Sequence, residues 1–371
     1  MMQVVCERCG KSENFMFSNW QCECGGAWLL QSALHISTTS IETDENSIWR
    51  YREFFPVELQ QRQNSLGAGF TPLLPCSIFD RNVLLKLDYL MPTGSFKDRG
   101  MELMMNALAL AGVHQIAEDS SGNAGASVAA YAARFGMQAS IFTPALTSST
   151  KLAQIELYGA QVHQIPGARQ NASQAVMDAV QNGTVYASHA YNPIYLLGQQ
   201  TVAWEIWEQL AFHIPDWVVL PVGQGGNLLG YYEGFRALLQ NGLIERLPGI
   251  IAVQPQRLAP ICDAYEQGWK EWMPVSAPQI GSVAEGLAIT KPVRWRHIMD
   301  ALTQSHGFCV QVPEEQILPA QWQLAKLGFY VEPTSAVVIA ALSQIFDKVE
   351  KEQTIVASLT GSGLKSSTTL H

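Results

Sequence analysis

Residues 216–239 read DWVVLPVGQGGNLLGYYEGFRALL and show how this chain folds. Residues 217–222 form a short, continuous apolar run, which is typical of a strand buried on both faces. Three glycines occupy positions 223, 225 and 226, and residues 228–239 continue as an apolar run of helical length. A strand, a glycine-rich turn and a helix in this order predict one unit of an α/β sheet.

The same alternation extends to both sides of this segment. Strands are predicted at 83–87, 139–142, 185–188, 217–222, 250–253 and 355–359, and helices at 96–111, 124–135, 173–180, 197–210, 228–239 and 335–346. Apolar strands that alternate with helices favour parallel sheets covered on both faces. The predicted fold class is therefore α/β. A chain of 371 residues, 47% of them hydrophobic, is long enough for a well-buried core and two lobes.

Charge and hydropathy exclude several kinds of partner. The formal net charge is -9, and no basic block occurs along the chain. This argues against a nucleic-acid or anionic-membrane partner. No apolar run reaches the length of a membrane span, and the first residues lack the basic region and apolar core of a signal peptide. We expect a cytoplasmic protein that acts on a small molecule.

Four of the seven cysteines lie in the first 24 residues, at Cys6, Cys9, Cys22 and Cys24. Four thiolates can surround zinc tetrahedrally, and the glycine after each pair lets the backbone turn towards a metal. Residues 1–35 are therefore predicted to be a zinc-ribbon-like segment. The second pair has one spacer residue instead of two, so two disulfides or a metal-free site remain alternatives.

Residues 92–100 read PTGSFKDRG and place one lysine, Lys97, at the predicted start of a helix. Ser95 is the expected N-cap, and the positive end of the helix faces the lysine amine. A lysine in this setting is partly neutral, which is the form that condenses with an aldehyde. The alternative is an ordinary solvated lysine.

Three loops are candidate anion sites. The loop Gly223-Gln-Gly-Gly-Asn227 precedes a helix, whose N-terminus favours a phosphate, although the loop could also be a plain strand–helix turn. Ser120-Ser-Gly-Asn-Ala124 also precedes a helix and offers hydroxyls and amides, which are ordinary capping residues as well. Thr360 follows the last predicted strand, at the carboxyl edge where ligands of open α/β sheets bind.

Six motifs in order closely resemble the threonine synthases, in the β family (fold type II, similar to tryptophan synthase β) of pyridoxal-phosphate (PLP) enzymes. They are PTGSFKDRG (92–100), SSGNAGAS (120–127), PVGQGGN (221–227), AEGLAI (284–289), EPTSA (332–336) and LTGSGLK (359–365). Some members also carry an N-terminal zinc ribbon. The resemblance implies a large PLP-binding lobe of residues 36–102 and 200–371 and a smaller α/β lobe of residues 103–199, and it suggests the homodimer that is common in that family.

The resemblance also assigns a role to each motif. Lys97 would form the internal aldimine with PLP and move the α-proton, and Phe96 would lie against the cofactor. The other cofactor contacts would be Asn123 at the phenolic oxygen, Gly223, Gln224, Gly225, Gly226 and Asn227 at the phosphate, and Thr360 at the ring nitrogen. The substrate carboxylate would be received by Ser120, Ser121, Gly122 and Ala124. A neutral hydroxyl at the ring nitrogen favours expulsion of a β or γ leaving group over transamination.

One segment departs from the family pattern. Threonine synthases commonly read Asn-Pro-x-Arg and then Gly-Gln-Lys-Thr, and the Arg holds the substrate phosphate. Here Tyr195 stands at the Arg position and Gln200 at the Lys position. A phosphate dianion needs strong cationic donors.

Three hypotheses follow. The first is a threonine-synthase-like lyase or synthase whose substrate carries no distal phosphate, with a serine/threonine dehydratase-like or cysteate-synthase-like enzyme as its variant. The second is a threonine synthase that holds the phosphate through other cations, such as Lys151, Arg169 or Lys291. The third is a zinc-ribbon binding protein with a non-catalytic α/β lobe. The intact Lys97, Asn123 and Thr360 favour an enzyme, and threonine-synthase-like chemistry is the leading prediction.

Overall fold

The computed structural model describes residues 2–145, 147, 149–167 and 169–365. The chain divides into two compact units. The first contains residues 2–69, 91–201 and 365, and the second contains residues 70–90 and 202–364. The segments 36–69 and 91–102, which the sequence analysis assigns to the larger lobe, group with the first unit. The functional division into a large and a small lobe stays a prediction.

Strands and helices alternate along the chain, as predicted. The strands are β1 (Gln3–Cys6), β2 (Ser12–Asn14), β3 (Trp28–Leu30), β4 (Leu73–Ile78), β5 (Arg81–Lys86), β6 (Gln115–Glu118), β7 (Gln138–Pro144), β8 (Gln161–Ile165), β9 (Val185–Tyr186), β10 (Trp217–Pro221), β11 (Gly249–Pro255), β12 (Phe308–Val312) and β13 (Ile355–Ser358).

The helices are α1 (Lys97–Leu110), α2 (Asn123–Phe135), α3 (Ser149–Leu157), α4 (Arg169–Gln181), α5 (Pro193–Gln209), α6 (Gly226–Gln240), α7 (Pro260–Glu266), α8 (Trp295–Gln304), α9 (Glu314–Lys326), α10 (Pro333–Ala340) and α11 (Leu342–Phe346). Short 3-10 segments lie at Thr38–Ser40, Ile48–Phe54, Val57–Leu59, Asp88–Leu90, Glu285–Leu287 and Gly363–Lys365. Within the described part of the chain, no helix is both long and apolar enough to cross a membrane.

The first unit contains two sheets. The N-terminal one is antiparallel, in the order β2-β1-β3, and the other is parallel, in the order β8-β7-β6-β9. Polar contacts bring the segment before β4 into this unit: Trp49 Nε1 donates to Glu102 Oε1 at 2.8 Å, and the Gln63 N–H donates to Asn106 Oδ1 at 2.7 Å. Both acceptors lie on α1. The helix that begins at Lys97 is therefore covered by a polypeptide segment from the N-terminal part of the chain.

The second unit contains one six-stranded sheet, in the order β12-β11-β10-β13-β5-β4. All neighbours are parallel except β4, which is antiparallel to β5 at one edge. The central strands β10, β11 and β13 are almost fully buried, and α10 packs its valines and isoleucine into the same core. Because β10 and β13 are parallel neighbours, their carboxyl ends meet at one edge of the sheet.

Candidate active site

Lys97 is the first residue of α1, as the sequence predicts. The chain turns at Gly94, whose φ of 82° lies in the left-handed region that favours glycine. Phe96 is the residue before the helix, and Lys97 Nζ lies 4.5 Å from the centre of its ring. Lys97 is half-buried. The amine is therefore held at the positive end of a helix and beside an aromatic face.

Ser95 is not the N-cap, so this expectation is wrong. The Ser95 hydroxyl is buried and has no hydrogen-bond partner among the described residues. Asp98 closes the turn instead, because its carboxylate accepts from the Thr93 N–H and hydroxyl, both at 2.7 Å, and from the Ser127 hydroxyl at 2.5 Å. Burial raises the pKa of Asp98, although these hydrogen bonds act in the opposite direction. A fully buried acid thus fixes the backbone that presents the lysine.

The loop predicted to receive the substrate carboxylate connects β6 to α2. Gly122 precedes the helix and Asn123 is its first residue. A Cβ at Gly125 would lie only 1.8 Å from the Ser120 carbonyl oxygen, so glycine is required for the first helical turn to pack against the loop. Ser120, Ser121 and Asn123 are half-buried, Gly122 is exposed and Ala124 is buried. Hydroxyls and a helix N-terminus therefore meet at the carboxyl end of β6, which suits a small anion.

Tyr195 and Gln200, which stand where threonine synthases have an arginine and a lysine, both lie on α5. Neither side chain can carry a positive charge. Tyr195 is 1% exposed and packs on Gly100 of α1, where an added Cβ would lie 2.5 Å from Tyr195 Cδ2. No described atom completes a hydrogen bond with the Tyr195 hydroxyl or with Gln200 Oε1. Burial, followed by the charges of Glu118 and Asp98, raises the pKa of Tyr195 well above its usual value. The phenol is therefore neutral.

Three other cations, Lys151, Arg169 and Lys291, are the predicted alternatives for holding a phosphate. Lys291 is an exposed residue of the second unit. The side chains of Lys151 and Arg169 lie outside the described residues.

A histidine–glutamate pair lies next to Tyr195, and the sequence analysis does not predict it. His189 follows β9, and its Nδ1 lies 2.7 Å from Oε1 of Glu118, the last residue of β6. The Glu118 side chain is fully buried and that of His189 is 12% exposed. The ring centres of His189 and Tyr195 are 6.2 Å apart. A glutamate at the carboxyl end of a buried strand could have indicated Glu118 as a site residue, but β6 was not predicted from the sequence.

In the second unit, the glycine loop lies between β10 and α6. Gly225 has a φ of 86°, and a Cβ there would lie 2.2 Å from Ile298 Cδ1. At Gly223 a Cβ would lie 2.7 Å from the Gly286 carbonyl oxygen. Gln224 Oε1 accepts from the Val293 N–H at 3.2 Å. Two independent steric constraints thus require a bare backbone at the N-terminus of a 15-residue helix, which is the setting that binds phosphate groups.

Thr360 lies at the same edge of the sheet as this loop. Thr360 is the second residue after the end of β13 at Ser358. Asn227 Nδ2 donates to the Ser358 hydroxyl at 3.5 Å, and this hydrogen bond links the glycine loop to the end of β13. Thr360 is 1% exposed, and its Oγ1 lies 3.1 Å from the hydroxyl of the buried Ser335. The structure thus brings Gly223–Asn227 and Thr360 together within the second unit. Lys97, Phe96 and the loop that begins at Ser120 belong to the first unit.

The four N-terminal cysteines form a cluster in which all sulfur atoms lie within 4.8 Å of one another. All four are free thiols. The Cys6 and Cys24 sulfurs are 3.4 Å apart, and the Cys9 and Cys22 sulfurs are 3.7 Å apart. Tetrahedral zinc with Zn–S bonds of about 2.3 Å requires sulfur separations of roughly 3.8 Å. A Cβ at Gly26 would lie 2.5 Å from Cys6 Sγ, so glycine is required beside the cluster.

Comparison with known proteins identifies the family. Residues 65–361 match the model of the family described as pyridoxal-phosphate dependent enzyme. The chain is 34% identical to a threonine synthase of Methanocaldococcus jannaschii over 376 aligned positions, covering 97% of this chain and 92% of that protein. It is 36% identical to a threonine synthase of Synechocystis sp., covering 85% of this chain and 82% of that protein.

Solved structures confirm the fold type. A threonine deaminase of T.th. superposes with a TM-score of 0.66 at 26% identity, covering 79% of this chain and 92% of that one. Maize serine racemase superposes with a TM-score of 0.68 at 23% identity, covering 79% and 88% of the two chains, and shows the fold alone. The predicted α/β class and the predicted resemblance are both confirmed. The chain belongs to the family of pyridoxal-phosphate dependent enzymes and is a threonine-synthase-like lyase.

Proposed function

We propose that this enzyme breaks a carbon–oxygen bond at the β or γ carbon of a small amino acid, with Lys97 as the catalytic residue and the covalent anchor of PLP. The observation that carries the proposal is the placement of Lys97: it is the first residue of α1, half-buried, with Nζ 4.5 Å from the Phe96 ring centre. The expected products depend on the leaving group, and a replacement reaction is the alternative to elimination.

The residues of the second unit fit the cofactor. The bare backbone at Gly223 and Gly225 and the N-terminus of α6 suit a phosphate, and Gln224, Gly226 and Asn227 complete that loop. The Thr360 hydroxyl is assigned to the ring nitrogen. In the first unit, Asn123 is assigned to the phenolic oxygen. PLP supplies an electron sink that stabilises negative charge at the α carbon of an amino acid.

The chain's own residues then supply binding and proton transfer. Ser120, Ser121 and the backbone at Gly122 and Ala124 bind the substrate carboxylate at the N-terminus of α2. The Lys97 amine takes the α-proton, which requires it to be neutral at that moment. Asp98 supports this role indirectly, because its hydrogen bonds to Thr93 fix the turn before the helix. A neutral Thr360 hydroxyl does not force protonation of the ring nitrogen, which favours departure of a leaving group over transamination.

Visible absorbance tests the proposal. Purified protein reconstituted with PLP is expected to absorb in the visible range, and borohydride reduction is expected to attach the cofactor to a peptide that contains Lys97. Lys97→Ala is expected to lose both signals. Lys348→Ala is a matched control, because Lys348 Nζ also lies over an aromatic ring, 5.0 Å from the centre of Phe308. A Lys97→Ala protein that retains the reducible chromophore would rule out the proposal.

We also propose that the four-cysteine cluster holds structural zinc. The sulfur separations suit one tetrahedral ion, and a closed site of four thiolates leaves no open position for water, so the metal would stabilise the N-terminal sheet and take no part in catalysis. Cytoplasmic location and a homodimer stay predictions from the sequence.

A further inference from the structure

The His189–Glu118 pair has the geometry of an oriented acid. His189 Nδ1 lies 2.7 Å from Glu118 Oε1, and the Glu118 side chain has no exposure to solvent. A buried carboxylate that holds one ring nitrogen fixes the orientation of the imidazole and stabilises its protonated form. Because Nδ1 is engaged with Glu118, the ring acts on a substrate through Nε2.

The pair lies at the substrate-facing edge of the parallel sheet. Strands β6 and β9 are parallel neighbours, and Glu118 and His189 stand at and just beyond their carboxyl ends. The loop proposed to bind the substrate carboxylate begins two residues after Glu118, at Ser120. Ligands of α/β sheets bind at this edge. The pair and the carboxylate loop thus belong to one side of the sheet.

Tyr195 connects this pair with the start of α1. Its ring centre lies 6.2 Å from that of His189, and the same ring packs on Gly100, three residues after Lys97. Burial is the largest cause of the raised pKa of Tyr195, and the negative charges of Glu118 and Asp98 come next. The Tyr195 ring therefore lies close enough to both acids to feel their charge. The His189–Glu118 pair and the turn that presents Lys97 therefore flank a single tyrosine.

The charges here disfavour a phosphate dianion. Positions 195 and 200 hold a neutral phenol and an amide, and the neighbouring acids are Glu118, Asp98 and Asp119. Asp119 accepts hydrogen bonds from Ser173 and Tyr186, both at 2.8 Å. A dianion would approach several carboxylates, and of the cations near Tyr195, Arg99 is fully buried with its Nη1 donating to the Thr201 hydroxyl at 3.2 Å, whereas His189 is partly exposed. A neutral leaving group, in contrast, needs a proton when it departs.

We propose that His189, oriented by Glu118, protonates the substrate's leaving group, and that this group is an uncharged hydroxyl and not a phosphate. The inference rests on the proposed function and names the substrate class: hydroxy amino acids. His189 is the residue that acts on the substrate, and Glu118 is a positioning residue.

In the elimination of a β-hydroxyl, one C–H bond and one C–O bond break. The α-proton goes to Lys97 Nζ, and the electron pair of that C–H bond forms the Cα–Cβ double bond. The Cβ–O bond breaks, its electron pair leaves with the oxygen, and the oxygen takes the proton from His189 Nε2. Water departs, and His189 is left neutral beside Glu118. Solvent returns a proton to His189, and no oxidant or reductant is needed.

Leaving groups that differ in their need for a proton test the proposal. The reconstituted holoenzyme is assayed with L-serine, β-chloro-L-alanine and O-phospho-L-serine, and release of the 2-oxoacid is followed. Chloride departs without being protonated, whereas a hydroxyl group must take up a proton and depart as water. His189→Asn is expected to reduce kcat for serine by about 10²- to 10⁴-fold, the usual contribution of a general acid, and to leave chloroalanine turnover near the wild-type rate. Glu118→Gln is expected to lower kcat for serine with little change in KM.

Three controls make the result specific. His114→Asn changes an exposed histidine of the same unit and is expected to leave all rates unchanged. Visible absorbance and Tm of the His189→Asn holoenzyme are expected to match the wild type, which shows that cofactor and fold are retained. A solvent deuterium isotope effect on serine turnover is expected in the wild type and is expected to be absent for chloroalanine.

Two outcomes would overturn the inference: equal slowing of serine and chloroalanine by His189→Asn, or rapid wild-type turnover of O-phosphoserine that the variant does not change. If the wild type turns over no substrate at all, chloroalanine included, the proposed function itself fails and this inference fails with it.

Discussion

The hydroxyls of Ser335 and Thr360 lie 3.1 Å apart, and the bonds around Ser335 decide which of the two is the donor. Ser335 Oγ accepts from the Thr360 N–H at 2.9 Å and from the Gly361 N–H at 2.8 Å, and the acceptors within reach of its own proton are Thr360 Oγ1 and the Gly361 carbonyl oxygen, the latter at 3.3 Å. A hydroxyl has two acceptor sites and one proton, so both acceptor sites of Ser335 are occupied. Thr360 therefore cannot donate to Ser335, and its own proton remains available for an acceptor such as a ring nitrogen.

Ser335→Ala is expected to lower the free energy of unfolding by about 2 kcal/mol, because two buried N–H groups lose their acceptor. The variant is also expected to bind PLP more weakly and to shift its visible absorbance, since the Thr360 hydroxyl is no longer oriented. Urea denaturation and PLP titration measure the two effects. Ser362→Ala is the control, because among the described residues Ser362 Oγ accepts one hydrogen bond, from the Leu364 N–H at 3.3 Å. Equal spectra for wild type and Ser335→Ala would contradict the proposed role of Thr360.

Gly225→Ala is expected to weaken PLP binding strongly. The new Cβ would lie 2.2 Å from Ile298 Cδ1, and alanine is strained at a φ of 86°. Both effects displace the N–H groups at the start of α6. Titration of the apoprotein with PLP measures the loss, and inorganic phosphate is expected to compete in the wild type.

Gly242→Ala is the control for Gly225→Ala, because it introduces the same kind of backbone strain at a glycine outside the proposed phosphate site. Gly242 has a φ of 69° with no atom within 4 Å of an added Cβ, and it follows α6 at its other end. This variant is expected to lose a little stability and to bind PLP normally. If the two variants bind PLP equally well, the loop Gly223–Asn227 is not the phosphate site.

Stability is expected to fall in acid partly through Glu233. Burial acts to raise the pKa of this carboxyl, but the hydrogen bond with His297 at 2.6 Å and the pairing with Arg236 outweigh burial and hold the pKa below its usual value. A carboxyl with a lowered folded-state pKa stabilises the fold above its unfolded-state pKa of about 4.3, and this contribution is lost as the pH falls through the folded-state pKa.

The measurement is the free energy of unfolding of wild type and Glu233→Gln from pH 7 down to a pH below the folded-state pKa of Glu233. The wild type is expected to keep its advantage over the variant above about pH 4.3 and to lose it as the pH falls further, through the folded-state pKa, because protonation of Glu233 breaks the same pair that the substitution removes. A difference between the two proteins that is independent of pH would show that the carboxylate charge does not contribute.

Zinc removal is expected to destabilise the N-terminal sheet. Reduced protein purified without added metal is expected to contain one zinc per chain, and Cys22→Ser is expected to lose the metal and to lower Tm, since a segment this short has little core of its own. Cys76→Ser, which changes a thiol outside the cluster, is expected to keep the zinc. Fresh protein that contains no zinc and has four freely reactive N-terminal thiols would rule out the site.

Two of the strands that were not predicted, β8 and β12, share a physical feature, whereas β6, which was also not predicted, lies between β7 and β9. Strand β8 reads QVHQI and lies at the edge of its sheet, and β12 is also an edge strand. An edge strand is buried on fewer sides and so carries polar residues that interrupt the apolar run. The buried central strands β10, β11 and β13 were predicted to within a few residues, because burial on both faces demands a continuous apolar sequence.

The α/β alternation, the helix that begins at Lys97 and the glycine loop before α6 can all be predicted from the sequence, because each depends on neighbouring residues and local backbone geometry. The sequence also placed the chain among PLP enzymes, since six motifs occur in a fixed order. The folded structure was needed to show that Asp98 and not Ser95 closes the turn before Lys97, and that Glu118 holds His189. Both depend on side chains that are buried beside partners from other elements, and sequence spacing does not encode such contacts.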